Sequence, residues 1–257
     1  YKNMKVLASD YDGTLRYGQE VQKEDIEAIK KWREEGNLFV IATGRSFESI
    51  TKEMKKYAIP VDYYITNNGA VVFDREGTIL YSTYLDYITS LDIMYIAKEV
   101  DGVISYVVND GIVRHRVIVN DSLEEKRYVD LVPDMSEEKV MDLGKYAQIV
   151  ISMADRELAK ELSDAINVHF SNIVVAYANN YVVDVVPQGT SKATGMDFLL
   201  AYCDVSKEDA YTIGDSYNDI PLMEYGIHGS CMECAIEDVK QHASFIYKSI
   251  SEMIRNI

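Results

Sequence analysis

Basic residues, cysteine and long apolar runs are all scarce in this chain of 257 residues, and each shortage removes a class of function. Lysine and arginine number 26 against 42 aspartates and glutamates, a formal net charge of -16 at pH 7. Such an acidic surface repels polyanions, which argues against a nucleic-acid backbone or an anionic membrane as a partner. A small anionic substrate is still compatible, because a bound divalent cation reverses the potential inside a single pocket. The three cysteines, Cys203, Cys231 and Cys234, are an odd set that makes no disulfide framework and indicates a reducing compartment. Cys231-Met232-Glu233-Cys234 has no second pair at zinc-like spacing and no thioredoxin-like context, so both thiols are expected to pack as small apolar groups. No apolar run approaches the ~20 residues of a membrane helix. The opening Tyr1-Lys2-Asn3-Met4 is not a signal peptide, since Val6-Leu7 leads straight into acidic residues. Met4 is the expected natural start, and the expected location is cytoplasmic. No obligate protein partner is evident.

What the chain does have is 47% hydrophobic composition, enough for a sizeable core in one large domain or two smaller ones. Residues 5–9 form a short apolar run that reads as a buried strand. Ile26, Ile29 and Trp32 recur every three residues and Gly36 follows, which predicts a helix over 23–35 and then a strand over 38–42. A second helix to Ala58 and a strand at 63–65 continue the alternation, which implies a parallel sheet. Two runs around Asp74-Arg75-Glu76-Gly77 predict a hairpin. From about residue 83 to 184 the pattern becomes two rounds of helix and paired strands, with a helix over 137–146 in the second round and turns at Asn109-Asp110-Gly111 and Asn179-Asn180. That is the signature of a separate α+β unit. The α/β rhythm then returns, so the expected organisation is a parent domain of 1–82 and 184–257 interrupted by an insertion at 83–183. The 20 tyrosines are assigned no function, since Tyr is a routine strand and interface residue.

The candidate chemistry sits at strand ends. Asp10 and Asp12 are two apart after the first strand, where strand geometry would aim both carboxylates to one side, and Gly13 permits a sharp turn. Close carboxylates invite a shared proton or a magnesium ion, although the isolated tetrapeptide also reads as an ordinary turn. Thr43-Gly44 lies between a strand and a helix, where it is either a helix cap or a receiver of phosphate oxygens. Lys192 opens a helix, a poor place for a cation unless an anion faces it; a solvated surface lysine is the plainer reading. Gly214-Asp215-Ser216-Tyr217-Asn218-Asp219 places two more carboxylates in a strand-to-helix loop.

Taken in order, Asp-x-Asp-Gly-Thr, Thr-Gly-Arg, the lysine and Gly-Asp-x-x-Asn-Asp resemble the haloacid dehalogenase-like (HAD) phosphatases. Ile65-Thr66-Asn67-Asn68-Gly69-Ala70 and Pro187-Gln188-Gly189-Thr190-Ser191-Lys192 are similar to segments of the Cof-type subgroup, which carries a type IIB cap. The resemblance implies an α/β fold, a Rossmann-like parallel-sheet core with an inserted α+β cap, and Mg2+ as cofactor. Asp10 would be the nucleophile that becomes a phosphoaspartate, and Asp12 the acid and base. The metal would be held by Asp10 and Asp215 with the backbone carbonyl of Asp12, and Asp219 would orient that shell or reach the metal through water. Thr43, Gly44 and Lys192 would grip the phosphoryl oxygens, with Asn218 beside them and Arg45 as a substrate contact. Ser230-Cys231-Met232-Glu233-Cys234-Ala235 departs from the Met-Gly-Asn-Ala-like stretch of relatives. The implied reaction is hydrolysis of small phosphate monoesters such as sugar phosphates, flavin mononucleotide or pyridoxal phosphate. The alternatives are a phosphomutase, a phosphate-accepting receiver and a non-catalytic binding protein.

Overall fold

The computed structural model describes residues 3–257, so the expectation for Tyr1 and Lys2 lies outside the described residues. The chain divides into two compact units, one running to Tyr81 and resuming at Ser191–Ile257, the other Ser82–Thr190.

The first unit opens with β1 (Val6–Ser9), a small hairpin of β2 (Arg16–Tyr17) and β3 (Glu20–Val21), and α1 (Lys23–Glu34). Then follow β4 (Leu38–Ala42), α2 (Phe47–Tyr57), β5 (Tyr63–Thr66), β6 (Val71–Asp74) and β7 (Ile79–Ser82). The second unit contains α3 (Tyr87–Glu99), β8 (Val103–Asn109), β9 (Arg114–Ile118), α4 (Glu137–Asp142) and β10 (Gln148–Met153). It ends with α5 (Arg156–His169), β11 (Val174–Asn179) and β12 (Val182–Pro187). Back in the first unit come α6 (Lys192–Cys203), β13 (Ala210–Gly214), α7 (Ile220–Met223), β14 (Gly229–Met232), α8 (Glu237–Lys240), β15 (Phe245–Tyr247) and α9 (Ile250–Arg255).

The first unit is built on one sheet, in the order β15-β14-β13-β1-β4-β5-β6-β7. β1 is buried along its whole length and pairs in parallel with β4 on one side and β13 on the other. A strand buried on both faces has no use for alternation, which is why Val6-Leu7-Ala8 reads as an unbroken apolar run. From β1 the chain winds outward in one direction and, after the second unit, in the other. β1 is therefore the point where the strand order reverses, the place where open α/β sheets put their ligands. The predicted hairpin is β6 with β7, and it departs from the parallel pattern because β6 runs antiparallel to β5.

The second unit has a five-stranded antiparallel sheet, β11-β12-β10-β8-β9. Ile93 and Met94 of α3, Val140 of α4 and Leu162 and Ile166 of α5 pack with Tyr106, Val108, Ile149, Ile151, Val183 and Val185 on one face. The other face carries Val107, Val150 and Val182, which are covered by Tyr128 from the irregular segment after β9. Periodicity gave no warning of that cover.

Two expectations need correction. The insertion returns to the first unit at Ser191, later than residue 184, because β12 is hydrogen-bonded between β10 and β11 and so belongs wholly to the second unit. The helix expected to reach residue 146 stops at Asp142: Gly144 takes a φ of 74°, and the Tyr146 hydroxyl turns back to within 2.7 and 2.8 Å of the Val140 and Met141 carbonyls. Among the described residues no helix is long and apolar enough to cross a membrane.

Candidate active site

Because β13, β1 and β4 are neighbours, their carboxyl ends bring Asp215, Asp10 and Thr43 to one edge of the sheet. The Asp10 N–H donates to the Ile213 carbonyl at 3.0 Å, which ties the first acidic loop to the last strand before the second. Gly13 has a φ of 84°, and a Cβ there would stand 2.1 Å from Asp215 Oδ2. Only a residue without a side chain lets the two loops close together.

Asp10 is buried, and both its oxygens are engaged. Oδ1 accepts from Lys192 Nζ at 2.8 Å, and Oδ2 lies 3.1 Å from the Thr14 hydroxyl, which is also 3.0 Å from Asp215 Oδ1. A hydroxyl has one proton, so Thr14 serves one carboxylate at a time. Lys192 makes a second bond, 2.6 Å, to Asp219 Oδ1. Asp219 Oδ2 in turn accepts from the N–H groups of Asp215 and Ser216, at 2.9 and 3.2 Å. Lys192 is the first residue of α6, behind the Ser191–Thr194 capping box, and it is fully buried. The surface-lysine reading is therefore set aside. Burial alone would lower the Lys192 pKa, but Asp10 and Asp219 outweigh burial and raise it.

One carboxylate oxygen from each of Asp10, Asp215 and Asp219 lies within 4.8 Å of the other two. Burial, followed by the charge of Asp10, holds the Asp215 carboxyl well above the usual range. The same two causes, opposed by Lys192, push Asp219 up to about 7. One ammonium among three carboxylates leaves an excess of negative charge, and the donors are hard oxygens, a set that suits magnesium. Asp219 accepts from Lys192 at one oxygen and from two backbone N–H groups at the other, so it orients Lys192 and the Asp215 loop.

Comparisons with known proteins bear on this geometry. The family model of haloacid dehalogenase-like hydrolases matches residues 7–253. The chain belongs to that family. Among curated proteins, this hydrolase is 24% identical over 275 residues to the 5-amino-6-(5-phospho-D-ribitylamino)uracil phosphatase YwtE of Bacillus subtilis, covering 97% of this chain and 94% of the relative. Among solved structures it resembles BT1666 from Bacteroides thetaiotaomicron, described with phosphatases of the haloalkanoate (HAD) superfamily, at 25% identity and a TM-score of 0.80, covering 99% and 94% of the two chains. The HAD subclass IIB sugar phosphatase BT4131 shares the fold at 24% identity and a TM-score of 0.81, over 98% and 97% of the two chains. The protein is thus a HAD hydrolase.

Several sequence-derived expectations for this HAD hydrolase are altered by the structure. Asp12 lies beyond the end of β1, which stops at Ser9, so strand alternation does not set its direction. Its carboxylate is instead gripped by the Arg45 fork, Nε to Oδ2 and Nη2 to Oδ1, both at 2.8 Å, with Arg16 3.7 Å away. Arg45, expected on substrate, is thereby committed to Asp12; it also donates to Ser49 Oγ and stacks over the Tyr11 ring. Thr43 is not the cap of α2, since Ser46 caps it. The Thr43 Oγ1 accepts from the Arg45 N–H, and Gly44 forms the turn between them. Asn218 is buried, and its Nδ2 donates to Asn68 Oδ1 at 3.1 Å. Cys231 packs against Met223 and Val239 as expected, but Cys234 is exposed and does not.

Thr14, Asn68 and Glu53 are site residues that sequence reasoning passed over. Glu53 accepts from the Tyr11 hydroxyl at 3.1 Å and pairs with Arg16 at 3.5 Å, closing the network that holds Asp12. For Thr14 a signal existed, its place in the Asp-x-Asp-Gly-Thr run; Glu53 left none, being one charge among many on an exposed-looking helix.

Proposed function

We propose that the protein hydrolyses small phosphate monoesters in a magnesium-dependent reaction through a phosphoaspartate on Asp10. The observation that carries this reading is the Asp10 carboxylate itself: buried, oriented at one oxygen by Lys192 and at the other by Thr14, and within 4.8 Å of two further carboxylates. A carboxylate fixed at both oxygens is a nucleophile held in place, and positioning with charge stabilisation is most of what phosphoryl transfer needs.

Asp10 attacks phosphorus as the bond to the leaving oxygen breaks, and Asp12 delivers a proton to that oxygen. Asp12 then takes a proton from water, the water attacks the phosphoaspartate, and inorganic phosphate leaves with Asp10 restored. Both Asp12 oxygens accept from Arg45, and a carboxyl that donates a proton cannot accept at both, so the acid role requires Asp12 to release that fork. Lys192, Thr43 and the Gly44 N–H receive the phosphoryl oxygens. Magnesium, held by Asp10, Asp215 and the Asp12 carbonyl, supplies charge neutralisation when bound.

The relatives' names, a phosphatase of a phosphorylated ribityl compound and a sugar phosphatase, support this substrate class, and the test is phosphate release from a panel of such compounds. The panel includes ribitol and hexose phosphates, flavin mononucleotide, pyridoxal phosphate and p-nitrophenyl phosphate, with and without magnesium, for the parent and Asp10→Asn. The expected result is turnover that needs magnesium and falls at least about a thousandfold in the variant. Equal rates in parent and variant would sink the nucleophile assignment. Phosphate recovered on another hydroxyl of the substrate, instead of free, would place the protein among mutases.

A further inference from the structure

At the carboxyl end of β5 three successive residues take positive φ, Asn67 at 49°, Asn68 at 56° and Gly69 at 100°. Glycine does so freely, whereas a left-handed backbone costs a side-chain-bearing residue about 1 kcal/mol or more. The turn is held at three points. The N–H groups of Asn67 and Asn68 donate to the Arg45 and Thr43 carbonyls at 3.1 and 3.0 Å. A Cβ on Gly69 would stand 1.9 Å from the Ser191 carbonyl oxygen, immediately ahead of Lys192. The turn therefore lies against both segments assigned to the phosphoryl group, and Asn68 bonds to Asn218 as well.

Asn67 is out of place on structural grounds. Its side chain is completely buried, as are Lys192 and Thr43, yet neither Oδ1 nor Nδ2 has a hydrogen-bond partner in the protein. The Oδ1 of Asn218 is unmatched too. A buried polar atom left unmatched costs about 1–3 kcal/mol, and Asn67 carries two of them. The chemistry of the unmet groups says what would satisfy them. A phosphate oxygen only accepts, so it would serve Nδ2 and leave both Oδ1 atoms facing negative charge. A hydroxyl donates and accepts, and one or two of them answer the whole set.

We propose that Asn67 is a substrate-binding residue that takes a hydroxyl of the leaving alcohol, which makes this a site for polyhydroxylated monophosphates over plain alkyl or aryl ones. This inference rests on the phosphatase reading above. The test is Asn67→Gly, which keeps the left-handed backbone and removes the carboxamide with its methylene. The quantity to read is the ratio of kcat/KM on ribitol phosphate to kcat/KM on p-nitrophenyl phosphate, with the thermal midpoint recorded for both proteins. A site built to bond a hydroxyl loses its preference when the partner is removed, so the ratio should fall at least about tenfold, with a midpoint no lower than the parent's. An unchanged ratio overturns the inference, whatever the midpoint does. A parent that turns over only the aryl phosphate overturns it while leaving the phosphatase reading intact, and a parent inactive on both with magnesium overturns that reading itself.

Discussion

Asp25 shows how much one buried carboxylate shapes the behaviour of a chain this acidic. It lies on α1, where Oδ1 accepts from the Ser251 N–H of α9 at 2.9 Å and Oδ2 has no partner. Burial raises its pKa, against the lowering effect of the Ser251 bonds. A carboxyl whose folded pKa exceeds its unfolded value is penalised when charged; the penalty is complete above the folded pKa and gone below the unfolded one, about 4. Asp25→Asn, which keeps the acceptor, should therefore raise the thermal midpoint at pH 7, and the gap should close as the pH falls towards 4. Melting curves across that range decide it, and a lower midpoint for Asn at neutral pH would mean that the charge is needed. At this scale Asp10, Lys192 and Asp215 were expected together only because the order of their motifs resembles a known family; taken singly, each read as a turn or a surface charge. The Asp12–Arg45 fork was not, since two residues 33 apart in sequence leave no mark on any local pattern. Asn67 was quoted in a motif, but only burial without partners singles it out.

Among the elements, the segment between β9 and α4 has no period of its own, and its polar anchoring centres on one residue. Glu125 sits there, accepting from the hydroxyls of Ser105 and Ser152 and from Arg116 Nη2. It also accepts from the N–H groups of Lys126 and Arg127. Burial pushes the Glu125 pKa up, but the two serine bonds, the Arg127 N–H and the Arg116 charge together bring it below the usual value. A depressed folded pKa means stabilisation that is present above the unfolded pKa and lost as the pH falls through the folded one. Glu125→Gln should cost about 1–3 kcal/mol at neutral pH and proportionately less in acid. Hydrogen exchange by mass spectrometry should show residues 119–134 opening faster, and unchanged protection there would remove Glu125 as the anchor. The regular elements could be read in advance because a half-buried helix or a buried strand prints its geometry on the sequence: Ile29 and Trp32 of α1, Val6 to Ala8 of β1. Tyr128 closes a sheet face from an irregular segment, and nothing local foretells that.

For the molecule as a whole, the acidic cluster makes stability conditional on solution composition. With Asp10, Asp215 and Asp219 crowded together, a cation that binds the folded chain alone stabilises it by about 2.7 kcal/mol at a hundredfold excess over its dissociation constant. Magnesium should raise the thermal midpoint in a saturable way that sodium chloride at equal ionic strength does not reproduce, and Asp215→Asn should abolish the effect. A shift that sodium matches would reflect screening of the -16 net charge and no specific site. The α/β rhythm and its interruption were legible at this scale, but the return point was not, because β12 is apolar enough to suit either sheet. The central position of β1 has a last consequence, for the order in which the protein is made. Its partner β13 and the Asp215 loop are supplied late: Thr14 and Asp215, which share a hydroxyl proton in the finished fold, are 201 residues apart. At ordinary synthesis rates of about 5–20 residues per second, roughly 10–40 s pass between them on the ribosome. During that interval the nascent chain carries Asp10 just past a strand with one side bare, and the acidic cluster is complete only when the last third of the polypeptide fills the gap.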